Sequence, residues 1–159
     1  MNPPARSLDQ RLHDTLHRLE HDVDAWVATS SDTDPYLVPL SFLWDGTTFL
    51  LATPTNSPTG RNLRKNGKVR LGIGLVRDVV LAEGTVTATP ATEIPDDVGD
   101  AFAVKTGFDP RTLTTLYHYF WVRPRRIQAW READELDGRE LMRESRWLAS
   151  PSPTPEPPA

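Results

Sequence analysis

The residue types best suited to chemistry are concentrated in one short run, Leu51-Ala52-Thr53-Pro54-Thr55-Asn56-Ser57-Pro58-Thr59-Gly60-Arg61-Asn62-Leu63-Arg64. Four hydroxyl side chains, on Thr53, Thr55, Ser57 and Thr59, come just ahead of Arg61 and Arg64. Hydroxyls, the free N–H groups of a helix N-terminus and guanidinium forks are what a phosphate requires. Gly60 would let the backbone approach such a ligand closely. A structural reading of the same residues stands beside this one: Ser57 or Thr59 caps a short helix and the arginines are solvated. A second group, His13, His17 and His21, is spaced by four on one stretch. The fourth histidine, His118, is remote in sequence, and neighbouring Asp14, Glu20 and Asp22 make that stretch equally a polar solvent face, so no metal site is expected. The chain has no Ser-His-Asp signature, no placeable glycosidase-like carboxylate pair and no GxGxxG or P-loop motif. With no cysteine, disulfides, iron–sulfur clusters, thiolate zinc sites and cysteine nucleophiles are excluded together.

The net charge of −4 conceals a segregated pattern. Residues 1–60 carry three arginines against eight acids, whereas residues 61–79 carry Arg61, Arg64, Lys65, Lys68, Arg70 and Arg77 against Asp78 alone. An acidic chain with one short basic island lacks the extended positive face of a nucleic-acid binder. It suits one compact anion such as a phosphate, or else a solvated strand and helix edge. No apolar run approaches the roughly 18 residues of a membrane helix. Met1 to Ser7 lacks the apolar core of a signal peptide. These features, with the absence of cysteine, lead us to expect a cytoplasmic protein with no membrane or nucleic-acid partner.

Positioning such a loop requires elements on either side of it. Leu8, Leu12, Leu16 and Leu19 fall on one helical face, and Ser7 with Gln10 forms a capping-box signature ahead of them. From Asp24 the pattern turns to strands: Ala25–Thr29, Tyr36–Trp44, then Thr47–Ala52 after an Asp45-Gly46 hairpin turn. A short helix is expected around Gly60–Asn66, with Gly67 as its C-cap. Val69–Val76 and Val79–Ala88 form another strand pair. Residues 95–120 read as helix in two pieces, broken at Gly107 and Pro110. A last strand near Val122–Trp130 precedes the polar turn Asp134–Gly138 and a closing element to Leu148. About six strands and few helices in a chain of this length favour a mainly β fold with flanking helices, closed as an antiparallel barrel that hides its edges. The domain is expected to span residues 7–149. Residues 1–6 form a flexible N-terminal segment, and 150–159, with five prolines in ten residues, a disordered tail.

The order Asp45-Gly46, Thr53, Ser57, Arg61-Asn62-Leu63-Arg64, followed by a strand of small and branched residues, resembles the pyridoxamine 5′-phosphate oxidase-like family of flavin and deazaflavin oxidoreductases. Val122 to Trp130 resembles that family's last barrel strand and Gly138-Arg139 its closing motif. The likeness covers about residues 8–148 and implies a six-stranded antiparallel split β-barrel. By the same resemblance, Thr53 and Ser57 match residues that hold the FMN phosphate. Thr59 stands where the oxidases usually carry a phosphate-binding lysine, a charge that Arg61 could restore, with Asn62 beside it. Pro39 and Ser41, within Pro39 to Phe42, would run beside the flavin ring. Trp130 and Arg139 match residues that reach the flavin from the other subunit of a homodimer.

The resemblance implies FMN as cofactor, with F420 as the alternative left open by the missing lysine. It also implies an oxidoreductase acting on a small organic substrate, or else a flavin-binding or storage module without turnover. The Arg-x-His pair that binds substrate in true pyridoxamine 5′-phosphate oxidases is replaced here by Asp134-Glu135-Leu136-Asp137. Carboxylates at that place would repel a substrate phosphate, so that activity is not expected.

Overall fold

Inward-facing apolar residues alternate along six strands and meet in one core, and this alternation closes the sheet into a barrel. The computed structural model describes residues 3–150. The proline-rich tail assigned above lies, from Pro151 on, outside the described residues. The strands are β1 (Asp24–Ser30), β2 (Pro35–Trp44), β3 (Phe49–Pro54), β4 (Lys68–Leu75), β5 (Asp78–Pro90), β6 (Tyr117–Arg131), β7 (Glu140–Arg143) and β8 (Arg146–Trp147). The helices are α1 (Leu8–His21), α2 (Pro58–Asn66) and α3 (Asp96–Thr106). All pairings are antiparallel in the order β3-β2-β1-β4-β5-β6-β7-β8, and β3 also pairs with β6. That last pairing closes a six-stranded barrel, with β7 and β8 added along the second half of β6. Val27, Phe42, Phe49, Leu51, Leu71, Val80, Phe120, Val122 and Ile127 point inward and are all buried.

One departure from the sequence pattern has a clear cause. The first helical piece ends at Thr106 as expected, with Gly107 at a left-handed φ of 72°, but the second piece is not a helix. A 3-10 turn at Pro110–Thr112 follows, and Tyr117–Phe120 then belong to β6, paired with β3 and β5. The ladder supplies partners on both sides of Tyr119 and Phe120, and tertiary pairing overrides a local preference. Pro124 lies inside β6 at an irregular register between Glu83 and Gly84 of β5, the kind of position where a strand tolerates proline. Gly84 is required there, because a Cβ would sit 2.6 Å from the Arg123 carbonyl oxygen.

The helices close the barrel's surroundings. Leu12 and Leu19 of α1 are buried, while Leu8 is exposed. The Ser7 hydroxyl accepts from the Gln10 N–H as a cap should, but the Gln10 side chain bonds Asp14 instead of returning to Ser7. Phe102 of α3 packs with Leu50, Ala52, Ile94 and Tyr119 in a second, outer core.

The acidic turn has a structural explanation that its sequence did not give. Glu135 is fully buried within a 3-10 turn at Ala133–Glu135. Its carboxylate accepts from the Arg6 backbone N–H at 2.8 Å, from the Arg6 guanidinium at 3.0 and 2.8 Å, and from the Arg131 N–H at 2.7 Å. Arg11, also buried, lies 3.7 Å away and donates to the Gly138 carbonyl. Arg6, the end of the N-terminal segment set apart above, is therefore anchored. Burial opposes ionisation of Glu135, but the hydrogen bonds from Arg6 and Arg131 outweigh it and hold its carboxyl down to about 2. The group thus contributes stability above its unfolded value of 4.5 and loses it as pH falls through about 2. Glu135→Gln should leave buried Arg11 without its counter-charge and Arg6 with only its longer pairings to Asp14 and Asp78. We expect it to cost about 3–5 kcal/mol in urea unfolding at neutral pH, with the deficit shrinking at low pH; an unchanged midpoint would place the network's energy elsewhere.

Candidate functional site

The ladder between β2 and β3 runs only from Phe42↔Leu51 to Trp44↔Phe49. Beyond Phe42 and Leu51 the two strands part, and a cleft of about 470 Å³ opens between them. Pro39, Leu40 and Ser41 of β2 form one wall, Ala52, Thr53 and Pro54 of β3 the other, and Phe102, Phe108 and Tyr117 add an apolar face. Pro39 stands where β2 has no β3 partner, an open edge at which proline is tolerated. Pro39, Ser41 and Thr53 are therefore brought together. Ser41 donates to Asp24 at 2.8 Å on the cleft's rim.

Thr53 leads into the loop and α2. The Ser57 hydroxyl caps α2, accepting from the Gly60 N–H at 3.0 Å and donating to the Pro54 carbonyl at 2.8 Å. It lies 3.1 Å from the Thr53 hydroxyl; with its own proton committed to Pro54, it accepts from Thr53. The capping and hydroxyl-cluster readings thus describe the same atoms. Gly60 serves packing within the loop: a Cβ there would meet the Pro54 and Thr55 carbonyl oxygens at 2.6 and 2.9 Å. Its missing side chain makes room for the protein's own backbone, which corrects the expectation that it makes room for a ligand.

The arginines turn back onto this loop. Arg61 donates to the Asn56 carbonyl at 2.6 Å and Arg64 to the Thr55 carbonyl at 2.8 Å, both from exposed positions. Thr59 is buried, and Asn62 is buried on the barrel side, donating to the Thr29 hydroxyl at 3.1 Å. Asn62 ties α2 to β1 and is apart from the Thr53–Ser57 cluster.

His118, which the sequence reading set aside as remote from the other histidines, is opposite Thr53 in the β3–β6 ladder and shares a 2.7 Å hydrogen bond with the Thr55 hydroxyl. Its signal in the sequence was the strand alternation through Tyr117–Phe120, hidden by the helical reading. Burial, aided by the nearby Arg64 charge, lowers its pKa below the usual 6.5. Phe102 and Phe108 were also missed as lining residues, since nothing local shows that α3 folds over the gap. His13, His17 and His21 remain on α1, where His17 and His21 stack at 4.1 Å. Among the described residues no group of three or more His, Asp or Glu side chains is placed to hold a metal ion.

Trp130 and Arg139 form their own cluster, with the Arg139 guanidinium 5.5 Å from the Trp130 ring. Within one chain this cluster is far from Thr53. His118, paired with Thr53, and Trp130 are twelve residues apart on β6, up to about 40 Å along an extended strand. The lateral separation is as clear. Directly paired residues share a face, and Pro39, Trp26, Gly72, Leu81 and Gln128 form one continuous row across β2, β1, β4, β5 and β6. The row points outward, since Trp26 and Leu81 are 54% and 37% exposed. Ser41 lies on the β2 margin of this wall and Trp130, paired with Val79, on the β6 margin, about 19 Å apart along the sheet at the usual strand spacing.

A closed six-stranded antiparallel barrel with a cleft at its split and a hydroxyl-rich loop at the cleft's edge defines a split β-barrel protein. The family model described as pyridoxamine 5′-phosphate oxidase matches residues 16–131, and the chain belongs to that family. No functionally curated protein matches the sequence. Among solved structures, the chain is similar to a Clostridium acetobutylicum protein related to general stress protein 26, of the pyridoxinephosphate oxidase family. That likeness has a TM-score of 0.57 and 17% identity, covering 78% of this chain and 90% of the other. It is similar to an F420 reductase with TM-score 0.56 and 20% identity, covering 70% and 93%. It is also similar to a FAD-binding protein from Mesorhizobium loti with TM-score 0.57 and 16% identity, covering 78% and 94%. At these identities the likeness establishes the fold.

The His118 environment gives a direct test of the loop. By NMR, His118 should titrate below 6.5 in the free protein and move upward when a phosphate-bearing ligand occupies the loop, because a nearby anion favours the imidazolium. An unmoved titration would separate His118 from the site.

Proposed function

We propose that this protein is a homodimeric oxidoreductase that binds FMN in the gap between β2 and β3 and transfers hydride to or from a small organic substrate. The observation that carries this reading is the parting of those strands at Phe42 and Leu51, which opens a cleft beside a capped helix and a hydroxyl cluster. The volume is in the range of small-molecule sites. One wall is apolar and aromatic, suited to a flat ring, and the other two are strand edges able to offer backbone groups.

Thr53 and Ser57 would take the cofactor phosphate by turning to it the hydroxyl protons they now give to Ser57 and the Pro54 carbonyl, beside the Thr59 N–H in the first turn of α2. Arg61 and Arg64 brace the loop through the Asn56 and Thr55 carbonyls, and Arg61 would reach the phosphate only by leaving that contact. Pro39 and Ser41 orient the ring, while Phe102, Phe108 and Tyr117 exclude water from its face. A bound flavin supplies the hydride chemistry itself, so no nucleophile or acid–base pair is demanded of the chain.

The outward wall supports dimerisation. Trp26, Leu37, Leu75, Val76 and Leu81 are exposed and border one groove of about 420 Å³; a contiguous apolar surface of this kind marks an interaction site. A two-fold axis running along β4 would lay the β6 margin of one copy over the β2 margin of the other. Trp130 and Arg139 would then face the Pro39–Ser41 edge of the second copy, which one chain alone does not achieve. The missing substrate cations at 134–137 argue against pyridoxamine 5′-phosphate as substrate. The repulsion argument applies only to exposed Asp134 and Asp137, because Glu135 is buried and neutralised by Arg6.

F420 is the second reading, supported by the uncharged Thr59 at the loop and by the similarity to an F420 reductase. Absorbance titration of the purified protein with each cofactor decides between them: saturable FMN uptake without F420 uptake supports the first, the reverse the second, and uptake of neither overturns the proposal. Bound flavin that is never reduced or reoxidised by any donor or acceptor would leave a storage module. Trp26→Asp should convert the dimer to monomer in light scattering and weaken cofactor binding at least tenfold with little loss of thermal stability. A monomeric variant that still binds normally would confine the site to one chain.

A further inference from the structure

The outward wall changes character below its apolar rows. The next row is Leu37, Ala28, Arg70, Glu83 and Arg126. In β6 the register shifts here, so that Glu83 faces Arg126 while Gly84 faces Pro124, leaving Arg125 as an extra residue. An extra residue breaks the strict alternation of a strand, and Arg125 and Arg126 accordingly line the same cleft, of about 560 Å³. Lys68, Arg70 and Arg143 line it too, against Glu83 and Glu144. Arg70 and Arg126 lie 3.0 and 4.0 Å from Glu83, and Arg126 and Arg143 lie 3.2 and 2.6 Å from Glu140. Among the described residues, Lys68 and Arg125 make no salt bridge. A chain of net charge −4 thus holds a concave surface with a cation surplus, next to the apolar wall.

We propose that this cleft completes the phosphate site of the other copy in the dimer, with Arg125, flanked by Arg126, supplying the positive charge across the interface. The inference rests on the dimeric reading above and adds the group that neutralises the phosphate. The two-fold axis that lays Trp130 over Ser41 also lays Arg126 over Leu37, because each pair shares a level of the wall. β3 runs antiparallel to β2, and counting on from Phe42↔Leu51 puts Thr53 at the level of Leu40 and Thr55 at that of Val38. The hydroxyl loop therefore reaches the level at which Arg125 and Arg126 of the second copy arrive. The loop's own arginines are held by the Asn56 and Thr55 carbonyls, and Thr59 is buried and uncharged. An incoming phosphate meets the Thr53 and Ser57 hydroxyls of one chain, whose protons are otherwise spent within the loop, and from the other a guanidinium that makes no salt bridge among the described residues.

The test compares FMN with riboflavin, which has the same ring without the phosphate, by quenching of flavin fluorescence. Arg125→Ala should weaken FMN binding about tenfold to a hundredfold, the loss of one charged hydrogen bond, and leave riboflavin affinity unchanged; Arg125→Lys should recover part of the loss. A mixed dimer of Arg125→Ala and Ser57→Ala chains, isolated through two different tags, should regain one tight FMN site although each homodimer is weak. Equal losses for both flavins, unchanged FMN binding in Arg125→Ala, or a mixed dimer without a tight site would each overturn the proposal while leaving the flavin reading intact. Wild-type protein that binds FMN no better than riboflavin also overturns it. If the wild type binds neither flavin but takes up F420, the comparison is made with the deazaflavin ring lacking its phosphate arm, under the same criteria; uptake of none overturns the functional reading and this inference with it.

Discussion

The fifteen residues of β6 are the constraint on which the rest of the molecule depends. β6 pairs with β5 from His118 to Arg131, with β3 through its first half and with β7 at Ile127 and Gln128. The first half closes the barrel, and the second carries the chain beyond it. Because β3 is held to β6 at Phe49–Pro54, it is free to leave β2 after Leu51 without losing both of its neighbours. The cleft exists because the backbone hydrogen bonds that β3 gives up on one edge are retained on the other, which satisfies the requirement that strand N–H and C=O groups find partners. His118 at one end of β6 and Trp130 at the other are separated by the length of strand that makes the closure.

A second constraint is electrostatic. The loop after β6 turns sharply through Glu132, whose φ of 58° is unusual for a residue with a side chain. Glu135 then enters the protein as an ion. Two buried arginines from the N-terminal segment and α1 meet it, so α1, β6 and the turn bearing Arg139 are fixed to one another by a group that would be intolerable unpaired. Arg11 also binds the Gly138 carbonyl and Arg139 the Leu136 carbonyl at 3.4 Å. The ring of Trp130 and the guanidinium of Arg139 owe their approach to this turn, and the carboxylate of Glu135 serves that structure.

What could be read from the sequence follows the range of the interactions involved. The α1 face, the Asp45-Gly46 turn, the α2 cap at Ser57 and the Gly67 terminus rest on contacts within a few residues, and they appear in the structure at or within two residues of their expected places. At the turn, the Asp45 carboxylate takes the Thr47 and Thr48 N–H groups at 2.8 and 2.7 Å, a purely local closure. The failures involve partners far along the chain. Tyr117–Phe120 are strand because β3 and β5 flank them, and Glu135 is buried because Arg6 reaches it across 129 positions. Thr53 and Ser57 were legible as a hydroxyl cluster from their own spacing. That Asn62 would turn toward Thr29 depended on how α2 docks on the barrel, which no local pattern encodes.

The charge segregation noted in the sequence takes its meaning from that same distinction. The basic island of residues 61–79 suggested one anion site, but folding divides it. Arg61 and Arg64 stay with the loop, Lys65 pairs with Asp32 at 2.6 Å, and Arg77 pairs with Glu132. Lys68 and Arg70 pass to the far side of α2 and join Arg125, Arg126 and Arg143 from the last strands. Charges adjacent in sequence end in different places, and charges more than fifty residues apart converge. An anion held at the loop alone would rely on hydroxyls and helix-end N–H groups, each a modest contributor in contact with water. Adding a guanidinium that makes no salt bridge among the described residues would change that balance without any new desolvation of an existing ion pair. It would also make cofactor binding and association of the two chains mutually reinforcing, since each contributes to the other's interface.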